Sequence, residues 1–524
     1  MKQFKLTKAA KVLLSVLLIV VIAAAAVIGV KTGFLKKSDD KSKTEIASGG
    51  ASTVDDAGNK IGGDKDDDVF NVSMDEWIGF KSIIDANGGY ETADGSIFDQ
   101  LGIKVNISVI NDAAQSSNAF IRGDLDAAGY TINRLSFLSS KFTEAGKDVI
   151  MPFITNYSNG GDGIISKDDI VSVKDLLGKK IGVPEFSEAQ TLVAWTVNNS
   201  DLSSKERAEI LDNLIMFETA DDTAKAFFAG EIDVAATWEP YLTQAKETSG
   251  ARVFLSTASA TNLILDGIVV DKEYAEKHPD VINNFIKGTL MAAEMYKTDF
   301  DYIRNTMPMF KTMDDDAIID MANGANLTTW KDNDNILKDT GPLVYSQMCN
   351  IWESLGESTN KELVKTLFDD TYSKNIADDF SATEVSEKTV ASVTKDNEKK
   401  VVDTESLLKG TASVTFDKNT SVFSDSEAAA KELDKFIETA KVLDGAIIEI
   451  AGNTDPNPDT DPDNKSLSYD RANAVANYFI MNGIDARRIH VIGNGSSNPI
   501  VENDTDEHKA MNRRTDVSFK ILEQ

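Results

Sequence analysis

The sequence predicts an α/β protein with two folded regions, a larger one over residues 69–377 and a smaller one over residues 411–524. In both regions short strand-like runs alternate with helical stretches, which is typical of α/β units with largely parallel sheets. The other two segments, residues 38–68 and 378–410, contain few large apolar side chains. Such segments bury too little surface to offset the entropy of ordering, so we expect both to be flexible linkers.

The charge and the cysteine content exclude several classes of protein. The formal net charge is -31 at pH 7, with 54 Lys and Arg against 85 Asp and Glu. Nucleic-acid binding needs clustered basic residues that release counterions from phosphates, so we expect no nucleic-acid partner. The single cysteine, Cys349, excludes an internal disulfide bond and a metal site built from several cysteines. We expect neither a metal nor a cofactor.

Residues 1–37 predict a membrane segment. Four lysines and no acidic residue precede an apolar run of 19 residues over 12–30. As a helix this run spans roughly 28 Å, close to the thickness of a bilayer core. The basic flank places the N-terminus in the cytoplasm, so we expect a single-pass membrane protein whose later domains lie outside the cytoplasm. A signal peptide cleaved within residues 23–26 is the alternative, but the apolar run continues past these alanines, which favours an uncleaved anchor.

The strand candidates follow the apolar runs. In the larger region they are residues 69–74, 104–109, 127–130, 148–153, 163–166, 180–183, 233–237, 253–255 and 263–270. After residue 272 the pattern becomes almost wholly helical. In the smaller region the predicted strands are residues 413–416, 446–451, 489–493 and 515–522, with helices over 426–443 and 466–481.

Five short phrases occur in order along the larger region. They are WIG from Trp77, GDLDAAG from Gly123, YSNGGDGI from Tyr157, VKDLLGKKIGV from Val173 and GEIDVAATWEPY from Gly230. Each phrase is weak alone, but together they resemble the nitrate, sulfonate and taurine class of substrate-binding proteins of ABC importers. The resemblance implies a two-lobed periplasmic-binding-protein fold, a small solute bound between the lobes and an ABC transporter permease as partner.

In two-lobed α/β proteins the ligand contacts come from loops at the carboxyl ends of strands, where helix N-termini offer free N–H groups and partial positive charge. The residues expected at these positions are Trp77, Gly79, Gln115, Ser116, Tyr130, Thr131, Asn156, Asp162, Glu185, Ser187, Trp238 and Glu239. Backbone N–H groups at Ser116 and Ser187 would suit a sulfonate, nitrate or phosphate. The carboxylates of Asp162, Glu185 or Glu239 would instead suit an ammonium group. We therefore expect a small anion or zwitterion, and packing roles for Trp77 and Trp238 stay open.

Catalysis is not expected. The superfamily that the larger region resembles includes a thiamin-pyrimidine synthase branch, which works through cysteines and histidine. This chain has one cysteine and three histidines, two of which, His490 and His508, lie in the smaller region. The third, His278, has no evident partner, so we interpret the larger region as a binding module.

The smaller region carries the features of a second family. These are an Asn-Thr-Asp at residues 453–455, LSYDRA at 467–472, a Gly-Asn-Gly turn at 493–495 and Asn-Arg-Arg at 512–514. The combination resembles the OmpA C-terminal domain, a small α/β sandwich that binds peptidoglycan non-covalently. Asn453 stands where many members of that family have His, and the loop after Asp455 is longer and lacks the usual glycine.

The resemblance assigns the peptidoglycan-binding residues. Diaminopimelate in the stem peptide presents an ammonium and a carboxylate on one carbon, so its receptor needs an acid beside a base, preferably Arg. By resemblance Asp455 holds the ammonium group and Arg471 holds the carboxylate. The other positions matched to the pocket are Asn419, Thr454, Asn464, Asn512, Arg513 and Arg514. We expect one of the last two to brace the fold.

Two hypotheses account for the whole chain. The first is a membrane-tethered, wall-bound receptor that delivers a small anion or zwitterion of the nitrate, sulfonate, taurine or phosphate class to an ABC permease. The second is a wall-associated adapter or sensor that links membrane to peptidoglycan without transport. A flagellar stator subunit shares part of this plan, but residues 12–30 lack the carboxylate that a proton-driven stator requires. Residues 459–470 imitate a calcium loop, but Pro462 and the missing glycine favour a solvated acidic loop.

Overall fold

The computed structural model describes residues 53–62, 68–293, 300–380, 384–385, 391–456 and 461–522. The predicted membrane segment, residues 12–30, lies outside these ranges. Within them no helix combines the length and the hydrophobicity that crossing a bilayer requires. The described chain forms two α/β lobes and a C-terminal α/β module, so the predicted fold class holds for these parts.

The strands of the two lobes agree closely with the predicted ones. They are β1 (Val69–Met74), β2 (Lys104–Val109), β3 (Ala127–Thr131), β4 (Val149–Ser158), β5 (Asp162–Lys167), β6 (Ile181–Pro184), β7 (Ile215–Phe217), β8 (Val234–Trp238), β9 (Ala251–Ser256), β10 (Leu265–Asp271) and β11 (Ala325–Leu327). The first lobe holds a six-stranded sheet in the order β11-β4-β10-β3-β1-β2. The second lobe holds a five-stranded sheet in the order β7-β6-β8-β5-β9.

Helices cover these sheets. They are α1 (Lys81–Asn87), α2 (Ile97–Gln100), α3 (Ala113–Arg122), α4 (Ile132–Glu144), α5 (Glu188–Asn198), α6 (Ser204–Leu211), α7 (Ala220–Phe228), α8 (Tyr241–Glu247), α9 (Lys272–Lys277), α10 (Pro279–Ala292), α11 (Phe300–Thr306), α12 (Asp315–Asn323), α13 (Trp330–Asn335), α14 (Gly341–Ser354), α15 (Val364–Leu367) and α16 (Thr371–Asn375). Because helices lie on both faces, a strand such as β1 is buried along almost its whole length.

The prediction of largely parallel sheets is wrong. β1 pairs in parallel with β2 and β3, and β6 pairs in parallel with β7 and β8. However, β10 is antiparallel to β3 and β4, and β5 is antiparallel to β8 and β9. The reason is that β5 and β10 are the strands by which the chain enters a lobe after crossing from the other one, so each starts at the interlobe edge.

The two crossings between the lobes contact each other. The chain passes to the second lobe between Ser158 and Asp162 and returns between Ser256 and Leu265. The buried hydroxyl of Thr257 accepts hydrogen bonds from the Gly160 and Asp162 amides at 2.9 and 3.2 Å. These bonds tie the two connections into one hinge.

The C-terminal module is a four-stranded sheet packed against helices. Its elements are α17 (Glu398–Asp403), β12 (Leu408–Ala412), α18 (Ser426–Val442), β13 (Ile447–Gly452), α19 (Asp461–Met481), β14 (Ile489–Gly493), α20 (Asp506–Asn512) and β15 (Thr515–Lys520). The sheet order is β12-β15-β13-β14. The first strand was predicted at residues 413–416, which instead form a loop with an isolated bridge between Phe416 and Phe423.

Parts of both predicted linkers contact the folded regions. In residues 53–62, the Asp55 carboxylate accepts the Val109 amide at 2.9 Å, so this turn extends the end of β2. In the second segment Val401 of α17 is fully buried, and its carbonyl accepts a hydrogen bond from Lys520 Nζ at 3.0 Å. These parts of the predicted linkers are therefore packed against the folded regions.

The C-terminal module also contacts the hinge. Asp444 accepts hydrogen bonds from the amide and the hydroxyl of Thr261 at 2.9 and 2.5 Å. Gly445 donates its amide to the Ser259 carbonyl at 3.0 Å. The loop after α18 therefore lies directly on the return crossing between the lobes.

Candidate functional sites

The first candidate site lies between the lobes, at the edge where β1, β3, β6 and β8 end. Thr131 ends β3 in the first lobe and caps α4, and Glu188 begins α5 in the second lobe. The Thr131 hydroxyl donates to Glu188 Oε1 at 2.6 Å, and Arg134 Nη2 donates to Glu188 Oε2 at 2.9 Å. We call these two bonds the Glu188 latch, because they join the lobes across the cleft.

The latch changes the expected chemistry of the cleft. A helix N-terminus, a hydroxyl and a guanidinium form a suitable site for an anion. Here the carboxylate of Glu188 already occupies that position with both oxygens bonded. An anionic solute must therefore displace Glu188 or bind elsewhere in the cleft.

Three further carboxyls surround the latch. Asp75 follows β1 and lies 3.9 Å from Arg134, measured from Oδ2 to Nη1. Asp162 begins β5, and Asp266 is the second residue of β10. The positive charge in this group comes from Arg134, which is already bonded to Glu188. The Asp75 side chain is 32% exposed and that of Arg134 is 18% exposed, so the group opens to solvent on that side.

The pKa values of these carboxyls respond to burial and to one another. Burial, assisted by the charges of Glu188 and Asp75, raises the pKa of Asp162 to about 7. Burial and the neighbouring carboxylates raise the pKa of Asp266 well above its ordinary value. Both shifts favour the protonated, neutral form of these two carboxyls, and the group holds one guanidinium, that of Arg134, for four carboxyls.

Asp266 has no hydrogen bond to its carboxyl from the described residues, although only 3% of the residue is exposed. In the antiparallel ladder it lies opposite Thr131 on one side and Asn156 on the other. Opposite residues in such a ladder project from the same face of the sheet. The Asp266 carboxyl therefore points to the same side as the Thr131 hydroxyl, into the cleft.

Trp77, Gly79 and Asn156 form one unit beside Asp266. Trp77 Nε1 donates to Asn156 Oδ1 at 2.8 Å. A Cβ on Gly79 would lie 2.2 Å from the same oxygen, so glycine is needed for the amide to reach the indole. The Trp77 ring also approaches Gly161 of the hinge. These three predicted residues are thus together, with the indole half-buried at the cleft.

Ser116 and Tyr130 face the interior of the first lobe. The Ser116 hydroxyl lies 2.9 Å from that of Ser73 and 2.8 Å from that of Tyr130, and all three residues are buried. The Ser116 amide donates to the Asp112 carbonyl at 2.9 Å, because α3 begins one turn earlier than this role requires. The expectation of a free N–H at Ser116 is therefore wrong, and this chain of hydroxyls fixes α3 to the sheet.

The remaining predicted residues are distributed around the cleft. Gln115 donates its side-chain amide to the Val54 carbonyl at 3.2 Å. Ser187 caps α5 and donates its hydroxyl to the Pro184 carbonyl at 2.6 Å. Glu185 is exposed. Glu239 accepts the Thr243 amide at 3.0 Å within α8, so its carboxylate is bonded inside its own lobe.

Trp238 is paired with one of these carboxyls in the sheet of the second lobe. It lies opposite Asp162 in the β5–β8 ladder and is partly exposed. Its indole therefore projects from the same face of the sheet as the Asp162 carboxyl.

Two surface cavities lie away from this edge. They have volumes of about 340 and 560 Å³ and adjoin Lys147 and Asp271, where β10 ends and β1 begins. Lys147 and Asp271 bond to each other at 2.7 Å. Their charges are therefore balanced, in contrast to those of the cleft.

The second candidate site lies on the C-terminal module, where β13 and β14 end. Asp455 is 3.5 Å from Arg513, measured from Oδ1 to Nη1. Arg471 of α19 donates Nε to the Thr420 carbonyl at 3.0 Å, and its guanidinium lies 5.1 Å from the centre of the Phe416 ring. Burial and the charge of Arg513 lower the pKa of Arg471, while Asp455 opposes that shift. These contacts bring one acid and two arginines into one pocket.

Two buried polar atoms of the neighbouring segments have no hydrogen-bond partner among the described residues. They are Thr454 Oγ1 and Asn464 Nδ2. Buried polar groups are nearly always hydrogen-bonded, so these two atoms are exceptions among the described residues. Asn419 lies at the loop that also carries Thr420 and has a left-handed backbone with φ 59°.

Asn512 and Arg514 instead hold the module together. The Asn512 side chain bonds the backbone of Ile500 and Val501. Arg514 is buried, and it bonds Asp516 at 3.0 Å and the Asn498 carbonyl at 3.0 Å. Asn453, the residue that replaces the family's His, donates to Asp516 at 3.1 Å in the same network.

Sequence reasoning missed four cleft residues: Asp75, Arg134, Glu188 and Asp266. The signal for Asp266 was present, because it is an acid inside the apolar run of residues 263–270. Asp75 directly follows a predicted strand. Glu188 and Arg134 carry no comparable signal, since each lies in an ordinary helical first turn and meets the other only across the cleft.

Comparison with known families agrees with this division of the chain. The NMT1/THI5 like family matches residues 84–299, and the OmpA family matches residues 415–513. The C-terminal module is similar to Outer membrane protein A of Bordetella avium, with 39% identity over 87 residues, 17% of this chain and 44% of that protein. It is also similar to the peptidoglycan-binding protein ArfA of Mycobacterium tuberculosis, with 36% identity over 85 residues, 16% of this chain and 26% of that protein.

The lobes are similar to the taurine-binding periplasmic protein of Escherichia coli, with 25% identity over 209 residues, 39% of this chain and 61% of that protein. The chain thus spans less than two thirds of the length of each of these three relatives. Among solved structures, the periplasmic aliphatic sulphonate binding protein SsuA from Escherichia coli aligns with 13% identity and a TM-score of 0.45, over 58% of this chain and 99% of that one. The chain thus combines a segment that matches the NMT1/THI5 like family with a C-terminal segment that matches the OmpA family.

Proposed function

We propose that the protein is a membrane-tethered, peptidoglycan-bound solute-binding protein that delivers a small charged solute to an ABC importer. The observation that carries this proposal is the presence of two charged sites in one chain, one between the lobes and one on the C-terminal module. The N-terminal segment would hold the chain at the membrane as a single-pass anchor, and the C-terminal module would hold it at the wall. No catalytic step is proposed.

Wall binding is assigned to Asp455 and Arg471. The acid and the guanidinium lie in one pocket, which suits the ammonium and carboxylate of a diaminopimelate stem peptide. Relatives of this module include a protein named for peptidoglycan binding. An Asp455→Ala, Arg471→Ala double variant should lose co-sedimentation with diaminopimelate-type peptidoglycan.

The matched control for that experiment is an Asp485→Ala, Arg487→Ala double variant. These two residues form an exposed ion pair at 2.6 Å before β14, at the opposite end of the strand from the pocket. The control should sediment with peptidoglycan as the parent protein does. Unchanged sedimentation of the Asp455, Arg471 variant would contradict the assignment.

Solute binding is assigned to the interlobe cleft. Relatives of the lobes are named for small solutes such as taurine, and the cleft here places several charged groups at the edge where such domains bind ligands. Of the sequence-based alternatives, the cleft favours a zwitterion over a simple anion because Glu188 occupies the anion position. Mass spectrometry after mild denaturation of the purified full-length chain should reveal a retained small solute.

The second candidate, an adapter or sensor without transport, is favoured by one feature. The Glu188 latch joins the lobes with the protein's own groups, as a bound ligand would in a closed receptor. If the full-length chain retains no solute and no small charged compound raises its melting temperature, the adapter function replaces transport.

The membrane anchor is tested separately. N-terminal sequencing of the mature protein should recover the residues before position 12. A start near residue 27 would indicate a cleaved signal peptide, and the tether would then be absent.

A further inference from the structure

We propose that the cleft recognises its solute by a cationic nitrogen, an ammonium or guanidinium group, held between the carboxyls of Asp162 and Asp266. This inference rests on the proposed solute-binding function and specifies the chemical class of the solute. Of the two groups expected from the sequence, an oxyanion and an ammonium group, it selects the cation.

The first support is the position of the two carboxyls. Asp266 projects from the sheet of the first lobe into the cleft, buried and without a hydrogen bond from the described residues. Asp162 begins β5 in the second lobe and is 7% exposed. Both carboxyls lie beside the Trp77 indole, which bonds Asn156, opposite Asp266, and approaches Gly161, next to Asp162. Consistent with this geometry, the charge of Asp162 raises the pKa of Asp266. A cation between them would contact both lobes at once and would relieve this repulsion.

The second support is the pair of indoles beside these carboxyls. Trp238 lies opposite Asp162 in its ladder, and Trp77 bonds Asn156, which lies opposite Asp266. Both indoles are partly exposed. Tryptophan faces attract ammonium and guanidinium groups. Each carboxyl thus has an indole nearby, one from each lobe.

The third support is the local balance of charge. Arg134 pairs with Glu188 and Asp75, its charge also reaches Asp266, and its Nε is buried with no hydrogen-bond partner among the described residues. The group thus holds one guanidinium for four carboxyls. A second anion would add to the repulsion among these carboxyls. In the described part of the chain, no three acidic, His or Cys side chains are arranged to hold a metal ion. An organic cation therefore fits the cleft better than either an anion or a metal ion.

The test uses three compounds with the same two-carbon chain and the full-length protein in detergent. 1,2-Diaminoethane carries only cations, ethanesulfonate only an anion, and taurine both. At matched ionic strength, a saturating excess of 1,2-diaminoethane or taurine should raise the melting temperature by roughly 5 °C. Ethanesulfonate should give no rise. Stabilisation by ethanesulfonate alone, or no stabilisation by either amine, overturns the proposal.

Variants then connect the effect to the cleft. Asp266→Asn and Asp162→Asn should each weaken amine binding about tenfold, because each removes a charge-assisted hydrogen bond. Asp168→Asn is the control, since Asp168 is an exposed turn residue of the second lobe. Equal amine affinity in all three variants contradicts the proposal.

The same experiment separates failure of this inference from failure of the proposed function. A solute retained by the full-length chain that carries no cationic nitrogen would overturn the cation site and leave solute binding intact. Retention of no solute, together with no response to any of the three compounds, would overturn both.

Discussion

The interlobe cleft and the C-terminal pocket use acids and arginines in opposite ways. In the cleft, Arg134 pairs with Glu188 and Asp75, whereas Asp162 and Asp266 form no ion pair among the described residues. In the pocket, Arg471 and Arg513 face one acid, Asp455. The cleft is therefore arranged for positive charge, whereas the pocket is arranged for a ligand that carries both signs.

The two sites also differ in how far apart their residues lie in the sequence, and this decides whether a sequence motif can identify them. The pocket residues Asp455 and Arg471 lie within one stretch of the chain, so a single sequence pattern includes both. The cleft residues come from four separate strands and two helices, and Glu188 meets Arg134 only when the lobes approach each other. A binding site built across a hinge is therefore less visible in sequence than one built on a single turn.

The largest effect expected from a single substitution concerns a glycine in each region. A Cβ at Gly452 would lie 2.0 Å from the Ser468 carbonyl oxygen, a backbone atom of α19. A Cβ at Gly79 would instead meet the Asn156 side-chain amide, which can move aside only by giving up its hydrogen bond from Trp77. Gly452→Ala should lower the free energy of unfolding of the C-terminal module by about 3 kcal/mol, and Gly79→Ala should cost the lobes less. Urea denaturation of each variant checks the order, and a larger loss for Gly79→Ala would contradict it.

The second prediction separates the two arginines of the pocket. Arg471 is half-buried and fixed by Thr420, whereas the Arg513 side chain is 43% exposed. Arg471→Ala should weaken peptidoglycan binding roughly thirtyfold, since a charge-assisted pair in a fixed position is lost. Arg513→Ala should weaken it only a few-fold. Co-sedimentation at increasing protein concentration measures both, and equal losses would mean that the roles are shared.

Much of the fold follows from the sequence because buried strands are continuous apolar runs. β1 and β2 have the predicted bounds, and β14 does as well. The first strand of the C-terminal module was misplaced because residues 408–412 and 413–416 both alternate apolar and polar side chains, and only pairing with β15 selects the former. β7 and β11 were missed because three residues are too few to show a period.

The third prediction concerns the Glu188 latch. Glu188→Gln removes the ion pair with Arg134 while keeping an oxygen for the Thr131 hydroxyl. The free guanidinium should then bind anions, so the affinity for ethanesulfonate should rise about tenfold, the value of one charge-assisted hydrogen bond. Isothermal titration calorimetry measures the change, with Glu206→Gln as control, since Glu206 lies in the first turn of α6. No gain in anion affinity would show that Glu188 does not block the position.

The last prediction concerns the pH dependence of Asp162. Its pKa is raised from 3.8 to about 7 by burial, with Glu188, Asp75 and Asp266 adding negative charge around it and Arg134 engaged by the latch. A carboxyl with a raised pKa stabilises the folded state at low pH and loses this stabilisation as pH rises between those values. The free energy of unfolding should therefore fall by up to about 1.4 kcal/mol per pH unit across that interval.

Comparison with Asp162→Asn isolates this contribution. The free energy of unfolding of the parent protein and of the variant is measured in urea at pH 5 and at pH 8. Relative to the parent protein, the variant should be more stable at pH 8 than at pH 5. Amine affinity of the parent protein should rise over the same interval as the carboxyl ionises. A difference that stays constant with pH would mean that Asp162 does not titrate in this range.

The most direct test of the account is a calorimetric comparison of two double variants of the full-length chain against two ligands. One variant is Asp162→Asn, Asp266→Asn, the other is Asp455→Ala, Arg471→Ala, and the ligands are 1,2-diaminoethane and a diaminopimelate-containing stem peptide. We expect the first variant to lose only the amine and the second to lose only the stem peptide. Loss of both ligands by one variant, or amine binding that survives without Asp162 and Asp266, would contradict the assignment of two separate charged sites.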